Sequence, residues 1–301
     1  MSSLKTFIRE SPEVRHRFSE LFPKCALTIR PLIVVPPVKY SAQKASLIGT
    51  AFDYLLRFYL QRLNTPVIKA RRWFAENAIE ILAEDAEWEI RSRHETSAEN
   101  AAKARKLVTT AKHHLAEYLD SGAISDNLIR SALALATLDP IARSGRGDEM
   151  IGVFNTDDVL DVRRLIQAVD DSLFKATRLC LLNPTFNESP DFALGADADL
   201  VIDDAIVEIK TLQEFRLTRS DLDQLIGYFL LNELVGFSEV APKPMVTKVG
   251  VYFSRHACLH MIPIRRFIDE NTLAELLPWF KQIVADYSPQ DLDWKPRSNS
   301  Q

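Results

Sequence analysis

The sequence predicts an α/β fold: a mixed central sheet flanked by helices, with a large helical insertion. Three observations predict it. Residues 67–182 carry helical spacing over most of their length and few breakers. Residues 183–288 alternate strand-like and helix-like runs around a tight turn at Asp203-Asp204. Hydrophobic residues make up 47% of the 301 positions, which permits a substantial core.

The elements follow in order. The N-terminal segment and first core helix occupy 1–66. A short helical stretch gives way to breaks at Pro23, Pro31, Pro36 and Pro37, with Leu32–Val35 as a candidate strand. Ser46–Leu63 reads as a strongly apolar helix in which Gly49, Asp53 and Arg57 form one small or polar stripe. The helical insertion, 67–182, reads as helices over Val67–Glu87, Ala98–Leu119, Asp126–Leu138 and Asp157–Leu182. Asp139–Phe154, with Pro140, Gly145, Gly147 and Gly152, reads as a loop.

The core, 183–288, begins with a strand near Phe192–Leu194 and the hairpin. A helix then starts at Thr218 or Ser220, carries Leu222, Leu225, Ile226, Phe229 and Leu230 on one stripe, and stops near Gly236. Val246–Arg255 and Cys258–Ile264 read as partner strands, and Thr272–Tyr287 as a helix. A polar tail, 289–301, is expected to be disordered.

Chemistry concentrates at the hairpin. With Asp203-Asp204 as the turn, Ile202 pairs with Ala205, Val201 with Ile206 and Leu200 with Val207. Asp199 then lies opposite Glu208, and Asp197 opposite Lys210. Alternation puts Asp199, Glu208 and Lys210 on one face, with Leu200, Ile202, Val207 and Ile209 on the other. Like charges directly opposite repel. A divalent cation between Asp199 and Glu208 removes the repulsion, and hard oxygens suit Mg²⁺. The backbone carbonyl of Ile209 is a further candidate ligand. Lys210 is placed to hold a water or to offset phosphate charge. The bland alternative is a solvated, charged hairpin face. On the following helix, Gln224 and Tyr228 share a face at i, i+4.

Asp199 followed by Glu208-Ile209-Lys210 resembles the signature of the PD-(D/E)XK nuclease superfamily, in which an acidic residue on the second strand precedes Glu-x-Lys on the third. Gln224-x-x-x-Tyr228 is similar to the element that follows in RecB-like members, where these residues flank the metal site and the DNA strand. A literal Pro190-Asp191 also occurs upstream. The register favours Asp199 as the first carboxylate, with Asp197 as a second candidate. RecB-like members carry an extra acidic or His metal residue four positions after a Gly on the first helix. Asp53 stands at that spacing from Gly49. The family often has His there and Glu four later, where this chain has Asp53 and Arg57. A plain Asp53–Arg57 ion pair is therefore the competing reading.

The resemblance implies a restriction-endonuclease-like core and metal-dependent phosphodiester hydrolysis. Asp199, Glu208, Lys210, Gln224 and Tyr228 would be catalytic, with Asp199, Glu208, Ile209 and Asp53 around Mg²⁺ or Mn²⁺. DNA is the expected substrate, in a bacterial defence or DNA-processing setting. The insertion would select substrate, dock a protein partner or mediate self-association. The alternative is an inactive nuclease-fold scaffold or a partner-docked nucleic-acid-binding subunit.

Composition narrows the setting. No apolar run reaches membrane-span length, and Met1-Ser-Ser-Leu-Lys5 lacks a signal-peptide apolar region. Cys25, Cys180 and Cys258 are widely spaced, which fits a reducing cytoplasm. The net charge of −4 argues against generic nucleic-acid coating. Any DNA surface must be local. Candidates are Lys69 with Arg71 and Arg72, Arg91–Arg93, Lys103–Lys106 and Arg143–Arg146. Arg255, Arg265 and Arg266 are further candidates for phosphate contact.

Overall fold

Apolar residues on both faces of the strands build a sheet that is covered on both sides. The computed structural model describes residues 4–22, 31–39, 41–92, 96–145, 150–187 and 196–287. Six strands form an open mixed sheet, in chain order from edge to edge. They are β1 (Ile68–Ala70), β2 (Cys180–Leu182), β3 (Leu200–Ile202), β4 (Ala205–Lys210), β5 (Lys248–Phe253) and β6 (Cys258–Pro263). β1 runs parallel to β2 and β4 parallel to β5, while the other neighbours are antiparallel.

Strand alternation sends residues into two cores. Cys180, Leu182, Leu200, Ile202, Val207 and Tyr252 face a core shared with α3 (Ala42–Leu63), α5 (Thr96–Ser121), α6 (Asp126–Ala136) and α8 (Thr156–Gln167). Leu181, Val201, Ile206, Val249, Val251 and Phe253 face the other. That core holds α1 (Leu4–Glu10), α2 (Pro12–Leu21), α9 (Arg219–Leu234) and α10 (Glu270–Asp286). Burial on both faces explains why the strands read as continuous apolar runs. It also means that the face bearing Glu208 is largely interior, not a solvated hairpin surface.

The hairpin pairs Leu200 with Val207, Val201 with Ile206 and Ile202 with Ala205, the expected register. Asp203 takes the left-handed conformation (φ 50°), which Asp tolerates in turns. Its Oδ1 accepts the backbone N–H groups of Thr177, Arg178 and Leu179 at 3.1, 2.7 and 3.1 Å, which pins the turn to the preceding loop. α9 starts at a capping box. The Thr218 hydroxyl accepts the Asp221 N–H at 3.2 Å, and the Asp221 carboxylate accepts the Thr218 N–H at 2.9 Å.

Four expectations need correction. The block is not wholly helical, because β1 and β2 both lie within 67–182. Val67–Glu87 holds β1 and then α4 (Asn77–Ser92), and Asp157–Leu182 holds α8 and then β2. Each of these strands has three residues, too few to show a period of two. The Asp139–Phe154 loop contains a short helix, α7 (Asp139–Ser144), ended by Gly145 at φ 63°. Leu32–Val35 is not a strand: the N–H groups of Val34 and Val35 both bond to one carbonyl, that of Arg255, at 2.8 and 2.9 Å. Phe192–Leu194, Asp191, Arg146 and Pro289–Gln301 lie outside the described residues. Among the described residues no helix is long and apolar enough to cross a membrane.

Candidate active site

The site is built where β3 and β4 stop pairing. The β3–β4 ladder ends at Leu200–Val207. One residue further out, Asp199 is not a ladder partner of Glu208. Its Oδ2 instead accepts the Ile209 N–H at 2.7 Å, and its backbone carbonyl accepts the Asn183 N–H at 2.9 Å. Asp199 is thereby fixed on both sides and stays beside Glu208. In an extended residue the N–H and C=O leave the same strand edge, so the Ile209 carbonyl also faces the Asp199 side. Asp197 also lies beyond the last β3–β4 pair and so is not a ladder partner of Lys210. It forms an isolated bridge to Thr185, and its carboxylate meets Arg71 at 3.4 Å.

Period two places Lys210 on the Glu208 face, with its ammonium 3.0 Å from Glu208 Oε1. The same ammonium lies 3.3 Å from Asp221 Oδ1 on the first turn of α9. From sequence, Asp221 is only an acidic residue suited to the first turn of α9. The Thr218-x-x-Asp221 box is the signal that brings its carboxylate to the N-terminal end of α9. α9 also lowers Gln224 and Tyr228 onto the site. Gln224 Nε2 donates to Tyr228 Oη at 2.7 Å and, more weakly, to Glu208 Oε1 at 3.4 Å. Tyr228 then donates to the Asp197 carbonyl at 2.7 Å, and its ring stacks on Phe186 with centroids 5.6 Å apart.

Asp53 and Arg57 enter from α3. Arg57 Nη2 sits 2.5 Å from Asp53 Oδ2, and Nε donates to the Asp53 carbonyl at 3.3 Å. The guanidinium carbon lies 4.4 Å above the Tyr54 ring, a cation–π contact. Asp53, Arg57, Asp199, Glu208, Gln224 and Tyr228 line one cavity of about 290 Å³, with Lys5 and Arg143 on its wall.

The electrostatics are strained. Burial, then repulsion from Glu208 and Asp53, pushes the Asp199 carboxyl well above the usual carboxylate range. Burial also raises Asp53, against the pull of Arg57. Burial works against the Lys210 ammonium, but Glu208 and Asp221 outweigh it and raise its pKa. Lys210 is therefore a fixed cation and not a base. Burial and the nearby carboxylates of Glu208 and Asp199 push the Tyr228 phenol well up, so it serves as a neutral donor.

Three oxygens on this cavity, Asp53 Oδ1, Glu208 Oε2 and Gln224 Oε1, are buried with no hydrogen-bond partner among the described residues. Leaving such an atom unsatisfied costs about 1–3 kcal/mol, and most buried polar groups avoid it. An all-oxygen donor set with bare lone pairs fits a hard divalent cation. No ready-made group of three His, Cys, Asp or Glu ligands occurs among the described residues. The fit therefore rests on carboxylates that a cation would have to draw together.

Comparison with family models, with curated proteins and with solved structures gives no match for this chain.

The structure thus brings Asp53, Asp199, Glu208, Lys210, Gln224 and Tyr228 to one place. Of the arginine candidates, only Arg143 among the described residues reaches the cavity wall. Arg255 is buried in a two-pronged pair with Asp161. Arg71 is held by Asp197 and Glu239, and Arg72 by Glu76 and Glu80. Arg143 pairs with Asp139 and lies over the Phe74 ring. Lys103, Arg105 and Lys106 are exposed on α5. The Arg91 and Arg93 side chains lie outside the described residues.

Proposed function

We propose that this chain is a divalent-metal-dependent nuclease with a restriction-endonuclease-like core, acting on phosphodiesters at the β3–β4 site. The observation that carries the reading is the pair of buried, unpartnered oxygens Glu208 Oε2 and Gln224 Oε1 on a cavity beside Asp199 and next to the Lys210 ammonium. Bound Mg²⁺ or Mn²⁺ would lower the pKa of a water and offset charge on the phosphate. Asp199 and Glu208, with the Ile209 carbonyl, would hold the ion. Lys210 keeps its proton, and so it orients the nucleophile and neutralises phosphate charge without abstracting a proton. Gln224 and Tyr228 hold the Glu208 side of the site in register and present a further acceptor, Gln224 Oε1.

DNA is the preferred substrate through the resemblance of Glu208-Ile209-Lys210 and Gln224-x-x-x-Tyr228 to RecB-like nucleases. The exposed Lys103, Arg105 and Lys106 offer it a local basic surface on a chain of net charge −4. The test couples binding to chemistry. Calorimetric Mn²⁺ titration should show binding that Asp199→Asn removes. Wild-type protein with Mg²⁺ or Mn²⁺ should cut DNA, and Lys210→Ala should bind Mn²⁺ but not cut. A protein that binds Mn²⁺ without cutting any nucleic acid would be the inactive scaffold instead.

A further inference from the structure

The metal reading leaves open how many ions the site takes, and Arg57 answers it. Once ionised, as a bound cation would require, Asp53, Asp199, Glu208 and Asp221 bring four negative charges to the site, where Arg57 and Lys210 are the cations paired with them. Of the other wall charges, Arg143 pairs with Asp139 and Arg71 with Asp197, while Lys5 adds a third cation. The excess is one negative charge, which a single divalent ion more than neutralises, so a second ion has no charge left to balance.

Position agrees with charge. Asp53 is the carboxylate available to a second ion, because Asp199 and Glu208 lie together at the hairpin and Asp53 approaches from α3. Arg57 occupies it. Its Nη2 contacts Asp53 Oδ2 at 2.5 Å, its Nε bonds to the Asp53 carbonyl, and the Tyr54 ring backs the guanidinium. Arg57 is itself buried, at 8% exposure, so this is a built-in charge and not a passing surface pair. Its remaining nitrogen, Nη1, makes no hydrogen bond among the described residues, and the residue lines the cavity.

We propose that Arg57 is the second cation of this site: the chain takes one divalent ion, on Asp199 and Glu208, and the guanidinium held by Asp53 does the charge-neutralising work of another. The proposal rests on the metal-dependent reading above. Arginine suits the role because it stays charged when buried and keeps N–H groups free for a phosphate oxygen. Asp53 is then a positioning residue for Arg57.

Mn²⁺ stoichiometry tests it without reference to turnover. Calorimetry on the wild-type chain should give one Mn²⁺, and electron paramagnetic resonance should show an isolated-ion spectrum. Arg57→Gln frees Asp53 and should bind two Mn²⁺, with an exchange-broadened spectrum. Arg57→Lys keeps the charge and should still bind one. Two ions in the wild type, two in Arg57→Lys, or one in a folded Arg57→Gln would overturn the proposal. If Arg57→Gln shows no cooperative melt, the wild type and Arg57→Lys decide. No Mn²⁺ binding by the wild type is a separate result, which removes the metal reading itself.

Discussion

Two buried ion-pair systems in this chain are built differently. At Arg255, both nitrogens of the guanidinium fork meet Asp161, at 2.9 and 3.0 Å, and Nη1 also bonds the Val35 carbonyl at 3.2 Å. Both residues are 3% exposed or less at the side chain, and neither leaves a bare buried atom among the described residues. At β4, Lys210 and Arg57 also sit on carboxylates, yet Glu208, Asp53 and Gln224 each keep an oxygen with no donor. The first system is complete and ties the segment before α3 to the end of β5 and to α8. The second is short of positive charge. A cluster that only held the fold together would gain by closing those gaps, so the contrast separates structural from functional charge.

Breaking each system should produce opposite results. The largest effect is expected for Asp161→Ala, which strands a buried guanidinium. Loss of one partner of such a pair costs about 3–5 kcal/mol. The melting temperature should fall by on the order of 10 °C. A fall worth less than about 1 kcal/mol would mean that Arg255 is not a structural keystone.

Glu208→Gln should do the reverse. DNA cleavage should drop by at least about 100-fold, the scale for losing one charge-stabilising group. Stability by urea unfolding should change by only about 1 kcal/mol, because Lys210 retains Asp221. A variant as destabilised as Asp161→Ala would erase the distinction between the two systems.

The same contrast has a pH signature. Asp199 and Asp53 have carboxyl groups raised above their ordinary values, so in the metal-free protein the folded state binds protons more tightly than the unfolded state. Their contribution is fully present below the ordinary carboxylate range and is lost as pH rises through the raised folded-state value. Thermal melts in chelator should therefore weaken with rising pH across that window. Added Mg²⁺ should restore stability on its alkaline side, and Asp199→Asn should flatten the slope. A metal-free melt that strengthens with pH across the same window contradicts the assignment.

The smallest effect belongs to Tyr228→Phe. It removes the donor to the Asp197 carbonyl and the acceptor for Gln224. About 1 kcal/mol of stability should go, with a several-fold loss of cleavage and no change in Mn²⁺ stoichiometry. A loss matching that of Glu208→Gln would make Tyr228 a direct participant.

The sequence was informative where local chemistry decides structure. The Asp203-Asp204 turn and its apolar flanks gave the hairpin register, and Thr218 or Ser220 as a cap before acidic residues marked the start of α9 to within two residues. The i, i+4 spacings gave Gln224 with Tyr228 and Asp53 with Arg57. Legibility failed where partners are distant. β1 reads as the start of a helical run, because Ile68-Lys69-Ala70 becomes a strand only by pairing with β2. Arg255 looks like a phosphate contact until Asp161 and Val35 close on it. Asp199 was placed by ladder geometry. What holds it is a side-chain bond to the Ile209 N–H, which register alone does not show. The cavity walls at Lys5 and Arg143 come from α1 and α7, and only tertiary packing brings them to Asp199.

One feature of the sheet constrains any attempt to miniaturise the protein. β1 and β2 are parallel neighbours, with residues 71–179 between them. The end of one strand and the start of the next therefore lie at opposite ends of the pair, and no tight turn can join them. A splice from Ala70 to Cys180 through a short linker would flip β1 or expel it from the edge. Arg71, the first residue past β1, would lose its grip on Asp197, whose carbonyl anchors Tyr228. A pared-down chain that spares the site needs a bridging segment of about a dozen residues or more, long enough to travel back along the strand before re-entering the sheet.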